Sequence, residues 1–177
     1  IDKNTLAKLK IKCIVLKHPS IRERMDYAEE INYIVAKESR NNFILELCNN
    51  IGGNTLCLYQ LVEKHGKILY EGMKGSENVY FVYGGTDTEQ RERIRGLVEG
   101  HKNSTTIASY GTFSTGINIR NINNIVLASP SKSKIRVLQS IGRGLRTSST
   151  KNSILIFDIA DDISYKERRN FTLNHFF

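Results

Sequence analysis

Carboxylates are missing from nearly a third of this chain. From His101 to Phe157, a run of 57 residues, there is no Asp and no Glu. The same run holds Lys102, Arg120, Lys132, Lys134, Arg136, Arg143, Arg146 and Lys151, and these cations match the whole net charge of +8. Elsewhere the two signs balance. A segment that excludes acids while keeping cations reads as facing something anionic, nucleic-acid phosphate or nucleotide phosphate; the alternative is a solvated face that happens to lack acids. Other scarcities exclude whole classes. Only 2 Pro and 13 Gly rule out collagen-like and linker sequences. The 3 cysteines, Cys13, Cys48 and Cys57, are odd in number and lack CxxC spacing. That argues against a disulfide framework and a zinc site, and we expect small buried hydrophobes in a reducing compartment. No apolar run approaches the roughly 20 residues of a membrane span. The opening residues lack the apolar core of a signal peptide and an initiator Met, so a piece of a longer chain is expected. What is present is ordinary: 177 residues, 40% apolar and 25% charged, suit one domain or at most two small ones. At that length about 70% of the unfolded surface is buried on folding, enough for a real core.

Hydrophobic periodicity alternates between strand and helix. Ile11 to Lys17 reads as a strand ending before Pro19, and Ile21 to Lys37 as a helix with Met25, Ala28, Ile31, Ile34 and Val35 on one face. Phe43, Ile44, Leu47, Cys48 and Ile51 make a second helix, closed by Gly52-Gly53. The strands NTLCLY (54–59), VYFVY (79–83), 105–109, NIVLA (124–128) and SILIFDI (153–159) follow. Helices fall between them at Leu61 to Met73, weakened by Gly66, at Thr86 to Val98, and at Ser133 to Leu145. Thr86 with Glu89 is expected to form a capping box. Alternating strands and helices imply a parallel sheet covered on both faces. Ligands of such sheets bind outside the carboxyl ends of the strands, so the loops after Tyr59, Tyr83, Ser109 and Ala128 are the informative ones.

The strongest local signal is Gln139-Ser-Ile-Gly142-Arg143-Gly-Leu-Arg146. On a helix, Gln139, Arg143 and Arg146 share one face. Two guanidiniums and an amide form a planar donor array suited to phosphate oxygens; taken alone, the pattern also reads as a surface helix with ordinary arginines. Gly142 is poor in a helix interior and is tolerated where something approaches the backbone.

This pattern, Gln-x-x-Gly-Arg-x-x-Arg, resembles motif VI of superfamily 2 helicases. Thr112-Phe-Ser-Thr115-Gly116-Ile-Asn118-Ile with the strand after it resembles their motif V. The strand NTLCLYQ resembles the motif IV region, and Tyr83-Gly84-Gly85-Thr86 the next block. The blocks stand in the family's order from about Thr55 to Arg146. The runs KLKIKCIVLKHP, ASYGTFSTGINI and SKSKIRVLQSIGRGLR narrow the likeness to the phage type of DNA repair and recombination helicase.

The resemblance implies an α/β fold: a RecA-like three-layer α/β/α domain with a mainly parallel central sheet. A complete motor also needs the loop G-x-x-x-x-G-K-[ST] for phosphates and an Asp-Glu pair for Mg²⁺. This chain has neither, since Gly66-Lys67 lacks the flanking residues and Asp161-Asp162 follows the last strand. The resemblance therefore implies the second of two RecA-like domains, with the first, which binds ATP and Mg²⁺, upstream. Residues 1–18 would enter from that domain as a strand and linker, 19–160 would form the motor domain, and 161–177 a tail that starts a helix. Asp161 to Tyr165 is expected as a loop, with Lys166 to Phe177 continuing or packing back on the domain.

Site roles follow from the same likeness. Arg143 and Arg146 would act as arginine fingers on the γ-phosphate, with Gln139 contacting the nucleotide or coupling its state to the first domain. Gly116, Asn118 and Gly142 would lie near the nucleotide; Asn118 stands where many relatives carry a ribose-binding Asp. Tyr59, Gln60, Gly85, Thr86, Thr112, Lys132 and Lys134 are the candidate contacts to DNA. Tyr59 reads equally well as a strand-end core aromatic, and Lys132 and Lys134 equally as solvated lysines. His65 and His101 read as surface histidines, Arg91 and Arg93 as a solvated helix face. The implied activity is unwinding and remodelling of branched DNA (forks, Holliday junctions, R-loops) in the cytoplasm. The alternatives are a motor part of a restriction complex and a passive nucleic-acid-binding module without ATP coupling.

Overall fold

The computed structural model describes residues 8–21, 23–116, 119–131, 153–165 and 169–176. Its centre is a six-stranded parallel sheet. The strands are β1 (Lys8–Lys17), β2 (Asn54–Tyr59), β3 (Val79–Val82), β4 (Ser104–Ser109), β5 (Asn124–Leu127) and β6 (Ser153–Asp162), in the spatial order β1-β6-β5-β2-β4-β3. The helices are α1 (Tyr27–Val35), α2 (Glu38–Asn50), α3 (Lys67–Gly72), α4 (Thr88–Gly100) and α5 (Tyr110–Gly116). A short π-helix, Val62–Gly66, leads into α3, and a 3-10 helix, Phe171–Phe176, follows the sheet. The helix expected at Ser133 to Leu145 lies outside the described residues.

Two cores sandwich the sheet, as the three-layer expectation requires. Side chains alternate along a strand. Leu56 and Leu58 of β2 therefore pack with Ile94 and Val98 of α4 and Tyr110 and Phe113 of α5. Cys57 and Tyr59 pack on the opposite face with Ile44 and Cys48 of α2, Leu69 of α3 and Met73 at its end. Because both faces are covered, NTLCLY is buried at every position. A third cluster sits past the carboxyl edge, where Ile31, Ile34 and Val35 of α1 meet Ile163.

Several expectations change in position. The first helix starts at Tyr27, not Ile21, because Asp26 and Glu29 form a reciprocal capping box: the Asp26 carboxylate accepts from Glu29 N at 2.8 Å, and the Glu29 carboxylate from Asp26 N at 2.7 Å. Thr86 does not cap α4. Asp87 does, accepting from Gln90 N at 2.7 Å, while the Thr86 hydroxyl is engaged by Tyr83 N at 3.1 Å in the preceding turn. The strand pattern at Ile11 to Lys17 extends to Lys8, and β1 pairs with β6 over its whole length, so residues 8–17 belong to the sheet. β6 likewise runs through Asp161 and Asp162, which were expected in a loop, and the boundary placed at residue 160 falls inside this strand. Cys48 and Cys57 are buried as expected, but Cys13 is exposed. Its side of the edge strand has little packed on it: Leu9, Ile11 and Val15 are also exposed.

The tail packs back on α1. The carboxylate of Glu30, itself buried, accepts from Phe171 N at 3.1 Å and Thr172 N at 2.8 Å. Asn170 donates to Asp161 O at 2.8 Å and accepts from Ile163 N at 3.1 Å.

Candidate nucleotide and nucleic-acid interface

The carboxyl ends of the parallel strands share one edge of the sheet, and the four turns singled out in the sequence all open there. After β2, Tyr59 turns inward. It is fully buried, stacks on Phe81 with centroids 5.8 Å apart, and donates its hydroxyl to Val82 O at 3.3 Å. Burial pushes its phenol pKa up. Tyr59 is a core residue and is corrected out of the nucleic-acid contacts. Its ring also explains Gly66: a Cβ there would clash with the Tyr59 ring, so no larger residue fits without a shift. Gln60, the next residue, is exposed and borders an apolar groove of about 570 Å³ with Tyr27, Ile31, Leu61 and Val62. Lys64 Nζ crosses from the π-helix to Asn32 Oδ1 at 2.8 Å.

After β3, Gly84 and Gly85 are exposed, and the Tyr83 ring lies against Gly85. The turn is braced from within. Thr86 N donates to Tyr83 O at 3.0 Å, and Arg91 Nη2 to Gly84 O at 3.0 Å. Arg91 therefore folds back onto this turn and does not form a solvated face, whereas Arg93 is exposed. Thr86 is buried, and so is Thr112. After β4, the stretch expected as a loop is α5. The Ser109 hydroxyl accepts from Thr112 N at 3.3 Å and pairs with Thr112 Oγ1 at 2.7 Å, which caps the helix. Both threonines shape their turns, and Gly85 offers backbone to solvent. Gly116 closes α5. Asn118, Lys132, Lys134, Gln139, Gly142, Arg143 and Arg146 lie outside the described residues.

Beneath this edge is a buried polar cluster that the sequence reading missed. Arg40 of α2 and Asp161 of β6 are both buried. Arg40 Nε donates to Asp161 Oδ1 at 2.8 Å, and Arg40 Nη2 to Ala128 O at 2.7 Å. His18 Nε2 meets the same Asp161 oxygen at 2.7 Å. Burial alone would raise the Asp161 pKa. The His18 hydrogen bond, then the Arg40 charge and hydrogen bond, outweigh it and hold the carboxyl below its ordinary value. The missed signal was register: Arg40 is four residues before Ile44 and eight before Cys48, on the apolar face of α2.

His65 corrects another expectation. It is fully buried, with Nδ1 at 2.8 Å from Ser129 Oγ. His101 is half-buried, and its Nε2 pairs with the Tyr80 hydroxyl at 2.8 Å. Burial first, and the Arg40 charge second, push the His65 pKa down to about 3. The folded protein therefore resists a proton that the unfolded chain takes up near pH 6.5. Stability should fall as pH drops from about 6.5 toward 3, by about 2 kcal/mol at pH 5. Urea titrations at pH 7 and pH 5 measure this, and His65→Gln should remove most of the difference. An equal slope in the variant would assign the loss to other groups.

Comparison with known proteins agrees with the geometry. Residues 39–148 match the family described as helicase conserved C-terminal domain. The ATP-dependent DNA helicase uvsW of Enterobacteria phage T4 is 35% identical over 176 residues, which is 95% of this chain and 35% of that protein. The putative ATP-dependent helicase IRC3 of Saccharomyces cerevisiae is 37% identical over 75 residues, 41% of this chain and 11% of that one. The crystal structure of T4 UvsW superimposes with a TM-score of 0.81 at 34% identity, over 97% of this chain and 38% of UvsW. S. cerevisiae Dbp5 bound to RNA and ADP BeF3 shares the fold, with a TM-score of 0.56 at 15% identity over 92% of this chain and 37% of that chain. The chain thus spans about a third of the UvsW length. A six-stranded parallel sheet between two helix layers, with the braced turns at its carboxyl edge, is the RecA-like arrangement of these proteins, and the chain belongs to the helicase conserved C-terminal domain family.

Proposed function

We propose that this chain is the second motor domain of an ATP-dependent DNA helicase or translocase of superfamily 2, working on branched DNA in repair and recombination. The observation that carries the reading is the UvsW likeness over nearly the whole chain, at a TM-score of 0.81. The Gln139/Arg143/Arg146 stripe supports it, in the basic segment that follows β5. In this reading the nucleotide sits between two domains. The first domain supplies the phosphate loop and holds most of the Mg²⁺–ATP.

This chain's own residues then do two things. Arg143 and Arg146 present positive charge to the γ-phosphate when the domains close, and Gln139 reports the state of the nucleotide; Gly116, Asn118 and Gly142 line the approach. On the nucleic-acid side, Gln60 and the exposed Gly85 backbone meet phosphate without reading sequence, joined by Lys132 and Lys134. Thr86 and Thr112 hold the turns that present them. ATP binding closes the cleft, hydrolysis opens it, and the grip on DNA alternates. The test is strand separation and ATP turnover by the intact protein on forked, four-way and linear DNA. Turnover stimulated by DNA, with branched substrates unwound at least tenfold faster than linear ones of equal length, is expected. Stimulation without unwinding would leave a translocase, and DNA binding without turnover would leave a passive module.

A further inference from the structure

Residues 128 and 129 are gripped from four elements at once. They stand between β5 and the segment that carries Gln139, Arg143 and Arg146. Ala128 N donates to Leu58 O at 2.9 Å, and Ala128 O accepts from Arg40 at 2.7 Å. Ser129 O accepts from the Tyr110 hydroxyl, at the start of α5, at 2.8 Å. The Ser129 hydroxyl meets Gln60 N at 3.2 Å and His65 Nδ1 at 2.8 Å, and Ser129 is buried.

The proton positions follow from donor counting. An amide only donates, so Ser129 Oγ accepts from Gln60 N. The hydroxyl has one hydrogen, and giving it to His65 Nδ1 places the ring proton on Nε2. Among the described residues, the reverse tautomer would leave two groups without partners, the hydroxyl hydrogen and Nε2. The chosen one leaves only Nε2–H, which is buried and has no acceptor among those residues. A buried donor left without a partner marks a place where geometry has been kept at a cost, and Arg40 Nη1 and Asp161 Oδ2 in the adjoining cluster are likewise without a partner among the described residues. Because His65 stays neutral down to about pH 3, this arrangement does not titrate at working pH.

The structure thus joins three things through one hydroxyl: the turn that carries Gln60, the π-helix, and the root of the basic segment. We infer that Ser129, held by His65, is a positioning residue that couples nucleic acid at the Gln60 turn to the placement of Arg143 and Arg146. The inference rests on the motor reading above and adds the joint through which its two sites communicate. Movement of the Gln60 amide pulls on Ser129, and Ser129 begins the segment that must carry guanidiniums into the cleft. The rest of the residue is anchored through its carbonyl, so the side-chain bond is what relates the two turns.

The test uses the intact protein and compares DNA-free with DNA-stimulated ATP turnover. Ser129→Ala should lower the stimulation ratio about tenfold, within the usual range for coupling between sites. DNA-free turnover should stay within about twofold, and DNA affinity within about threefold, since neither ligand touches Ser129 in this reading. Ser129→Thr, which keeps the hydroxyl, should restore the ratio. If Ser129→Ala does not fold, His65→Leu against His65→Asn asks the same question, because Asn keeps an acceptor near the position of Nδ1. An unchanged ratio in Ser129→Ala or His65→Leu overturns the inference, and so does an equal fall in DNA-free and stimulated turnover. Absence of DNA-stimulated turnover in the unaltered protein would instead overturn the motor reading, before any variant is compared.

Discussion

Arg143→Ala in the intact protein should abolish most DNA-stimulated ATP turnover, a loss of about 10³ to 10⁵ with DNA affinity retained. The argument is electrostatic. Phosphoryl transfer spreads charge over the equatorial oxygens of the γ-phosphate, and little else in the reaction asks for covalent help from the protein. A guanidinium brought up by domain closure meets that charge only in the transition state. Its removal therefore costs kcat more than KM. On that scale the loss is about 4–7 kcal/mol of barrier. Arg143→Lys should recover little, because a point charge does not replace a planar fork of donors. Arg146→Ala should fall in the same direction. The measurement is steady-state turnover with saturating forked DNA beside a binding titration. Rates near those of the unaltered protein would mean that the basic segment serves binding alone. A parallel loss of binding and turnover would move Arg143 from the nucleotide to the DNA.

The second large effect concerns stability. Asp161→Ala should destabilise the domain by about 3–5 kcal/mol, because it leaves the Arg40 guanidinium charged and buried without its carboxylate. His18 loses the same partner. At 2–4 °C per kcal/mol for a chain of this size, the melting temperature should drop by about 6–20 °C. Arg40→Met alone should cost a similar amount, by stranding Asp161 and the Ala128 carbonyl. Joining Arg40→Met to Asp161→Leu should cost less than the two changes added, since a buried pair replaced by apolar groups often breaks even. Strict additivity would show that the ion pair is not the coupling term. The pair also has its own acid limit. The Asp161 carboxyl is held below its ordinary value in the fold, so its contribution is complete above the unfolded pKa. It disappears only as pH falls through the lower folded value. Above about pH 4 only His65 of the two contributes a slope, so the two can be separated by titration.

What could be read from the chain divides along physical lines. The sheet was legible because strands and helices alternate with clear periods, and the family was legible because Gln139, Gly142, Arg143 and Arg146 stand at spacings that only the chemistry explains. The burial of single polar residues was not legible. Tyr59 ends a strand covered on both faces, so alternation carries no information about which side chains reach water. His65 sits among Lys64, Gly66 and Lys67 and reads as surface, yet it lies on a π-helix whose widened turn points it under the sheet edge. Arg40 and Asp161 each look solvated alone, and become core residues only as a pair whose members are 121 positions apart. Thr86 and Asp87 are both good caps, and the choice between them depended on a hydrogen bond to Tyr83 that no propensity encodes. The arginine stripe itself was read from sequence and stands as the proposal the first experiment decides.

The pairing of β1 with β6 has a consequence for how the domain comes into being. Lys8 lies opposite Ser153, and the register holds through Lys17 opposite Asp162. β1 is therefore made before the rest of this sheet and β6 after it. While the ribosome is still translating, β2, β3, β4 and β5 can already associate, but the place of β1 in the sheet opens only when β6 emerges. That ladder closes the longest chain loop among the described strands, the slowest kind of contact to form. The same step brings Asp161 to Arg40 and His18. Sheet completion and charge neutralisation are one event, and a nascent domain caught before it carries an unpaired arginine and an open β6 berth beside β5.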